Sequence, residues 1–345
     1  MQFNQCTPYY LPAFAYSLDT LEKRFEEFRA KPLSDTGTES LGFVSPIDLS
    51  RDDLIVSLEC LYGLRIKIQE KKISPSKVKE VVSQRVSKII EEKPDLDQAK
   101  LESEHYGLVK EEMLRLEIPS VNYVTAFIDT DSGYLFINDK SEKRCEQLLK
   151  LLRRCLGSFV ALPVNTEHQP SDVLSRALQG DRKLSEFLRL DYYDQIKAVG
   201  DKATKQVSFK GIKIGKEERE VLKGKVITQM GLIFCANEDE TWSLTIVSKR
   251  DKNFYVLNFV EPIPNPDPLA DRLFGMSDED FNANWLITAD RLNRIVSALN
   301  ESFGGRTITN RESEDYVAQL KEAQTMSVTE EAISEEAKAL LEGAE

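Results

Sequence analysis

Residues 120–158 read SVNYVTAFIDTDSGYLFINDKSEKRCEQLLKLLRRCLGS, a hairpin and a capped helix in one continuous run. Val121, Tyr123, Thr125 and Phe127 alternate with Asn122, Val124 and Ala126 in a β-rich stretch, and a second stretch, Tyr134 to Asn138, follows DTDSG. Asp, Ser and Gly supply the turn between them. Ser141 is a good N-cap, Cys145, Leu148, Leu149, Leu152, Cys155 and Leu156 recur at helical spacing, and Gly157 is the stop. Lys143, Gln147, Lys150 and Arg154 fall on the other side. The spacing therefore predicts a leucine stripe packed on the hairpin beneath a solvent-facing row of cations.

On the N-terminal side of this segment, Phe3 to Ala15 reads as a strand and Leu18 to Ala30 as an amphipathic helix burying Leu21, Phe25 and Phe28. Leu54 to Ile73 is extended and broken at Gly63, with Arg65, Lys67, Gln69 and Lys71 alternating outward from Leu64, Ile66 and Ile68. That line is either the solvated face of an antiparallel sheet or a phosphate-tracking stripe. Ser74 and Pro75 open a helix with Val78, Val82, Val86 and Ile89 on one side and Lys77, Gln84, Arg85 and Lys88 within one arc. Pro94 ends it, and Asp97 to Leu116 forms a second, acidic helix. Ser74 to Ile118 is thus expected to project from the sheet as a helix pair, touching DNA or a partner across a dimer.

On the C-terminal side, Leu162 to Gln179 and Leu184 to Ile196 are expected to be short helices. A strand pair, Lys205 to Ile214 and Val226 to Ala236, flanks a short helix around Glu217 to Leu222. Thr241 to Ser248 and Phe254 to Val260 continue as a meander, and Asp290 to Phe303 is the last packed helix, stopped by Gly304 and Gly305.

The chain has 345 residues, 41% of them apolar, enough for a sizeable core in two or three subdomains. No apolar run approaches membrane-spanning length, and the first residues lack a secretory signal's basic start and apolar run. Five scattered cysteines without a C-x-x-C pair are expected to be reduced thiols in a cytoplasm.

A net charge of −12 argues at first against nucleic acid. Its distribution reverses the argument. Arg311 to Glu345 holds ten acidic and three basic residues, a net of −7, so the other 310 carry only −5. Three segments are locally basic: Arg65 to Lys88 at +6, Lys140 to Arg154 at +4 and Lys202 to Lys225 at +5. Screening limits electrostatic reach to about 10 Å in ordinary salt, so such patches can bind DNA on an acidic protein.

Catalytic motifs are not evident. Two histidines without a cysteine cluster do not make a usual zinc site. Asp129 and Asp131 could hold magnesium, but a hairpin turn needs such residues anyway. GIKIGKEE at Gly211 to Glu218 misses the phosphate-loop spacing. The expectation is a protein that is not an enzyme, with no metal and no cofactor.

At FIDTDSGYLFIND and the helix KRCEQLLKLLRRCLGS, the chain resembles the bacterial recombination-associated RdgC family. The resemblance extends to GFVSP at Gly42 to Pro46, KKISPSKVKEVV at Lys71 to Val82, TKQV at Thr204 to Val207, GKVIT at Gly224 to Thr228 and FNANWLITADRLNRIVSALNESFGG at Phe281 to Gly305. It implies an α+β fold of mostly antiparallel sheets with packed helices and a two-helix projection. Residues 1–73 plus 119–162 would form a central α/β domain, 74–118 a helical tip, 163–305 a second α+β domain or base, and 306–345 an acidic, mobile tail.

The resemblance also implies a homodimer closing into a ring around double-stranded DNA, bound without sequence preference, with a restraining effect on RecA-dependent recombination. Such a protein would be cytoplasmic and nucleoid-associated. Lys205, Gln206 and Lys225 match the family's Lys-Gln pair and Gly-Lys in its DNA-binding region, with a longer segment between them here and Glu220 where the family usually has His. Lys143, Lys150, Arg154, Lys77, Arg85 and Lys88 complete the candidate phosphate contacts. The alternative from another class is an interaction scaffold that keeps the fold without DNA binding.

Overall fold

The computed structural model describes residues 3–191, 195–200, 206–237, 240–248, 251–263 and 278–325, the side chains of 262, 263 and 278–281 excepted. Its strands, in chain order, are β1 (Phe3–Tyr10), β2 (Glu39–Val44), β3 (Ile55–Leu58), β4 (Leu61–Glu70), β5 (Ser120–Asp129), β6 (Tyr134–Ile137) and β7 (Leu162–Pro163). They continue with β8 (Leu188–Leu190), β9 (Ile196–Val199), β10 (Gln206–Phe209), β11 (Val226–Cys235), β12 (Thr241–Ser248) and β13 (Tyr255–Ile263). The helices are α1 (Leu18–Glu27), α2 (Pro75–Glu92), α3 (Gln98–Leu116), α4 (Glu142–Leu156), α5 (Pro170–Gln179), α6 (Lys216–Leu222), α7 (Asp278–Ser302) and α8 (314–325).

The strands form one sheet in the order β10-β9-β11-β12-β13-β1-β6-β5-β4-β2, and every pairing among the described strands is antiparallel. This is the α+β class expected from the sequence. β1 joins the two halves. Its Gln5 and Cys6 pair with Asn258 and Leu257 of β13, while Thr7 to Tyr10 pair with Ile137 to Tyr134 of β6.

The hairpin β5–β6 separates two cores by strand alternation. Val124, Ala126, Ile128, Leu135 and Ile137 face α1 and α4, against Leu148, Leu149, Leu152 and Phe25. Phe127 and Phe136 point to the other core, which contains Trp285, Leu292, Ile295 and Leu299 of α7. The leucine stripe of α4 packs on the hairpin as its spacing predicts. A third, small cluster holds α2 to α3 through Val78, Val82, Val86 and Val109.

Several elements differ from the reading of the sequence. The expected helix across 184–196 is replaced by β8 and β9, which both pair with β11. Tertiary pairing overrides local propensity there. β9 also lies between β10 and β11, so those two are not a hairpin. Gly63 does not break the extended run. It pairs with Phe127 inside β4, and the turn falls at Glu59, whose φ is 51°.

The outward line on β4 is also corrected. Arg65 and Lys67 are half-buried, but Gln69 and Lys71 are buried, and Lys71 donates from Nζ to the carbonyls of Asp35 and Leu114, each at 2.8 Å. α7 begins at Asp278, twelve residues before the expected start.

Residues 306–325, expected to begin a mobile tail, are largely exposed but anchored through Arg306, Leu320 and Gln324. Arg306 lies over the Tyr10 ring, 3.6 Å from its centroid, and pairs with Glu312. The chain beside it pairs Thr166 with Arg306. Gln324 of α8 is fully buried. Its Oε1 accepts from the Ala15 amide at 2.9 Å, and its Nε2 donates to the carbonyls of Ser158 at 3.1 Å and Ala13 at 3.4 Å. The remaining acidic run, 326–345, lies outside the described residues.

Candidate nucleic-acid interface

α4 is fixed at its start by Asp139, a buried carboxylate that accepts from the Ser141 amide at 2.7 Å and holds Arg144 through Nε at 2.5 Å and Nη2 at 2.9 Å. Ser141 caps the helix toward Arg144, and Gly157 ends it at φ 69°, a conformation open to glycine. With its apolar side committed to the sheet, α4 presents Lys143, Lys150 and Arg154 outward.

These three cations differ in freedom. Lys143 Nζ lies 2.5 Å from Glu70 Oε1. Arg154 lies over the Phe28 ring, 5.6 Å from its centroid, with the guanidinium still exposed. Lys150 is exposed with no ion-pair partner among the described residues. Gln147, expected beside them in solvent, is buried instead and donates to the carboxylates of Glu39 and Glu70.

On α2, Lys77 and Lys88 are exposed, while Arg85 crosses to Glu112 of α3, with Nη1 3.1 Å from Oε1. That carboxylate raises the pKa of Arg85, and the guanidinium lowers that of Glu112. The acidic helix therefore neutralises one of the three cations placed on this arc.

In the other half of the sheet, Gln206 is exposed on β10, paired with Val199 of β9. Its neighbour Lys205 lies outside the described residues. Lys225 precedes β11, half-buried, and its Nζ donates to the carbonyl of Val221. It lines a cavity of about 280 Å³ with Asp172, Arg176, Gln179 and Asp181, beside a second of about 210 Å³ lined by His168, Arg176 and Arg182. Asp172 and Arg176 of α5 line both, and Arg176 was not legible from sequence as a candidate, because only the folded chain brings α5 beside Lys225.

The candidates are thus not gathered into one pocket. Seven strands separate β10, carrying Gln206, from β4, which leads into α2. At about 4.8 Å per strand that is on the order of 40 Å along the sheet.

The Asp129–Asp131 turn is occupied by its own hydrogen bonds. Asp129 Oδ1 accepts from the amides of Asp131 at 3.0 Å and Ser132 at 3.2 Å, and Oδ2 accepts from Asn293 Nδ2 at 2.6 Å. Among the described residues no group of three His, Cys, Asp or Glu side chains is placed to hold a metal ion. Nor is any helix among them long and apolar enough to cross a membrane.

Fold and charge together define an α+β protein built on one long antiparallel sheet, with cations dispersed over separate helices and strand ends. Comparison with known proteins makes the class particular: the chain belongs to the RdgC family, whose model, described as "Putative exonuclease, RdgC", matches residues 1–306. The chain is similar to the recombination-associated protein RdgC of Psychromonas ingrahamii, 23% identical over 293 residues, covering 84% of this chain and 93% of that protein. The protein of the same name from Shewanella frigidimarina is 24% identical over 318 residues, covering 88% and 98%. That of Pasteurella multocida is 22% identical over 306 residues, covering 85% and 94%.

Proposed function

We propose that the protein acts in homologous recombination as a sequence-independent binder of double-stranded DNA, working as a ring-shaped homodimer that restrains RecA-dependent strand exchange. The observation that carries this reading is the dispersal of cations, four of them exposed, and one exposed amide across a family member's sheet. Lys150 and Arg154, Lys77 and Lys88, and Gln206 with Lys225 lie too far apart to hold one small ligand. Phosphates repeat along a duplex, and contacts tens of ångströms apart suit that repeat. A closed dimer reconciles the acidic total with binding, since cations line the hole and acids face solvent.

The test is a titration of labelled duplex at several salt concentrations, with Lys150→Ala/Arg154→Ala beside wild type and cross-linking to read the dimer. Log affinity should fall linearly with log salt, with a slope of about −0.9 per phosphate neutralised, and the double variant should lose about two such units. Absence of binding at low salt would overturn the DNA reading and favour an interaction scaffold. The family description favours a second reading, an exonuclease. It predicts magnesium-dependent loss of terminal nucleotides, whereas a binding protein leaves the duplex at full length.

A further inference from the structure

The family match stops at residue 306, yet the chain continues and folds back onto the domain that carries α4. Gln324 makes this return specific. Its side chain is fully buried and bonded to Ala13, Ala15 and Ser158, and Ser158 lies two residues beyond the end of α4. The C-terminal half of α4 carries Lys150, Arg153 and Arg154 and no acid. Arg153 is answered by Glu146 at 2.9 Å, which leaves Lys150 and Arg154 as the exposed cations without an ion-pair partner among the described residues.

Immediately after this anchorage come six acids, Glu330, Glu331, Glu335, Glu336, Glu342 and Glu345, against the single Lys338. α4 is 15 residues, or about 22 Å, long. An extended chain spans up to about 3.5 Å per residue, so Glu330, six residues beyond Gln324, can reach about 21 Å, farther than the roughly 12 Å of helix between Ser158 and Lys150.

We propose that the acidic run 326–345 is an internal competitor of DNA, occupying the Lys150–Arg154 face of α4 until duplex phosphates displace it. The inference rests on the reading of the protein as a DNA binder. Tethering at Gln324 makes the competition intramolecular, with an effective concentration that a free acidic peptide would not match. Both contacts are ionic, so added salt weakens the tail's hold and the DNA's together. The competition is therefore strongest where DNA binding is strongest, at low salt.

The experiment uses the full chain with Glu330, Glu331, Glu335, Glu336, Glu342 and Glu345 changed to Gln, alone and combined with Lys150→Ala/Arg154→Ala. Duplex affinity at low salt should rise on the order of tenfold in the first variant, and the gain should disappear in the combination. Without DNA, acylation of Lys150 by a small amine-reactive ester should increase in the Gln variant while that of Lys77 and Lys88 stays constant. Equal duplex affinities for wild type and Gln variant, or unchanged Lys150 reactivity, would overturn the competition and leave the DNA reading standing. Failure of every form to bind duplex would instead overturn the DNA reading, so the two failures are distinguishable.

Discussion

Lys143 Nζ stands 2.5 Å from Glu70 Oε1, linking the solvent side of α4 to the last residue of β4. Lys143, Gln147 and Lys72, by their hydrogen bonds, hold the Glu70 carboxyl at about 2, well below its ordinary 4.5. A carboxyl whose pKa falls on folding contributes stability above its unfolded value and loses it as pH drops through the folded one. Glu70→Gln should therefore be less stable than wild type at pH 7 by roughly 1–2 kcal/mol in urea unfolding. The difference should narrow below pH 4.5 and vanish near pH 2. A gap independent of pH would assign Glu70 a packing role only. Because its amine is already engaged, Lys143→Ala should also cost less duplex affinity than Lys150→Ala.

Lys71 carries a different expectation from the one its sequence position suggested. Its buried amine bonds two main-chain carbonyls, Asp35 and Leu114, and so ties the loop after α1 to the end of α3. Lys71→Met fills the same space but leaves both acceptors without that donor. The expected loss is about 2–3 kcal/mol, read as a lower urea midpoint at unchanged slope. An unchanged midpoint would mean that water replaces the amine.

These two lysines also show what the sequence could disclose. The 120–158 segment was legible because each of its signals is local: alternation, turn residues, an N-cap, a helical stripe and a glycine stop. Gln147 and Lys71 were not, because both are polar residues at outward-reading positions. Their partners, Glu39 and Glu70 for one and Asp35 and Leu114 for the other, lie up to 108 residues away. The stretch 184–196 failed for a related reason. Its strands are specified by β11, whose pairing residues follow 27 to 46 positions later. Arg176 became a candidate only when α5 was seen beside Lys225.

The helix pair α2–α3 holds itself together through its own four-valine cluster. Val86→Ala should cost about 2 kcal/mol, and that loss should appear locally. Hydrogen exchange should accelerate across 75–116, while β5, β6 and α4 keep their protection. Faster exchange in all of these elements would show that the projection unfolds with the rest. Duplex titration of the same variant tests whether Lys77 and Lys88 need a rigid helix to contact phosphate.

Gly42, the first residue of GFVSP, gives the sharpest packing test. It lies in β2 opposite Lys67 of β4, and on the other side the segment after α1 runs beside it. There the Phe43 amide donates to the Phe28 carbonyl and the Ala30 amide to the Phe43 carbonyl, both at 2.9 Å. A Cβ at position 42 would sit 2.9 Å from the Arg29 carbonyl carbon and closer still to N and Cα of Ala30. All of these are main-chain atoms, so no rotamer change relieves the overlap, and β2 and the 28–30 segment would have to part. Parting them would break both hydrogen bonds and disturb the stacked pair Phe25–Phe43, whose centroids are 3.9 Å apart. Gly42→Ala should therefore cost about 3 kcal/mol or more, seen as a lowered urea midpoint and loss of amide protection at Ala30 and Phe43. Gly107→Ala, on α3 where a Cβ meets nothing within 4 Å, should be neutral or slightly stabilising. Equal stability of the two variants would show that the strand and its neighbour can separate freely at this point.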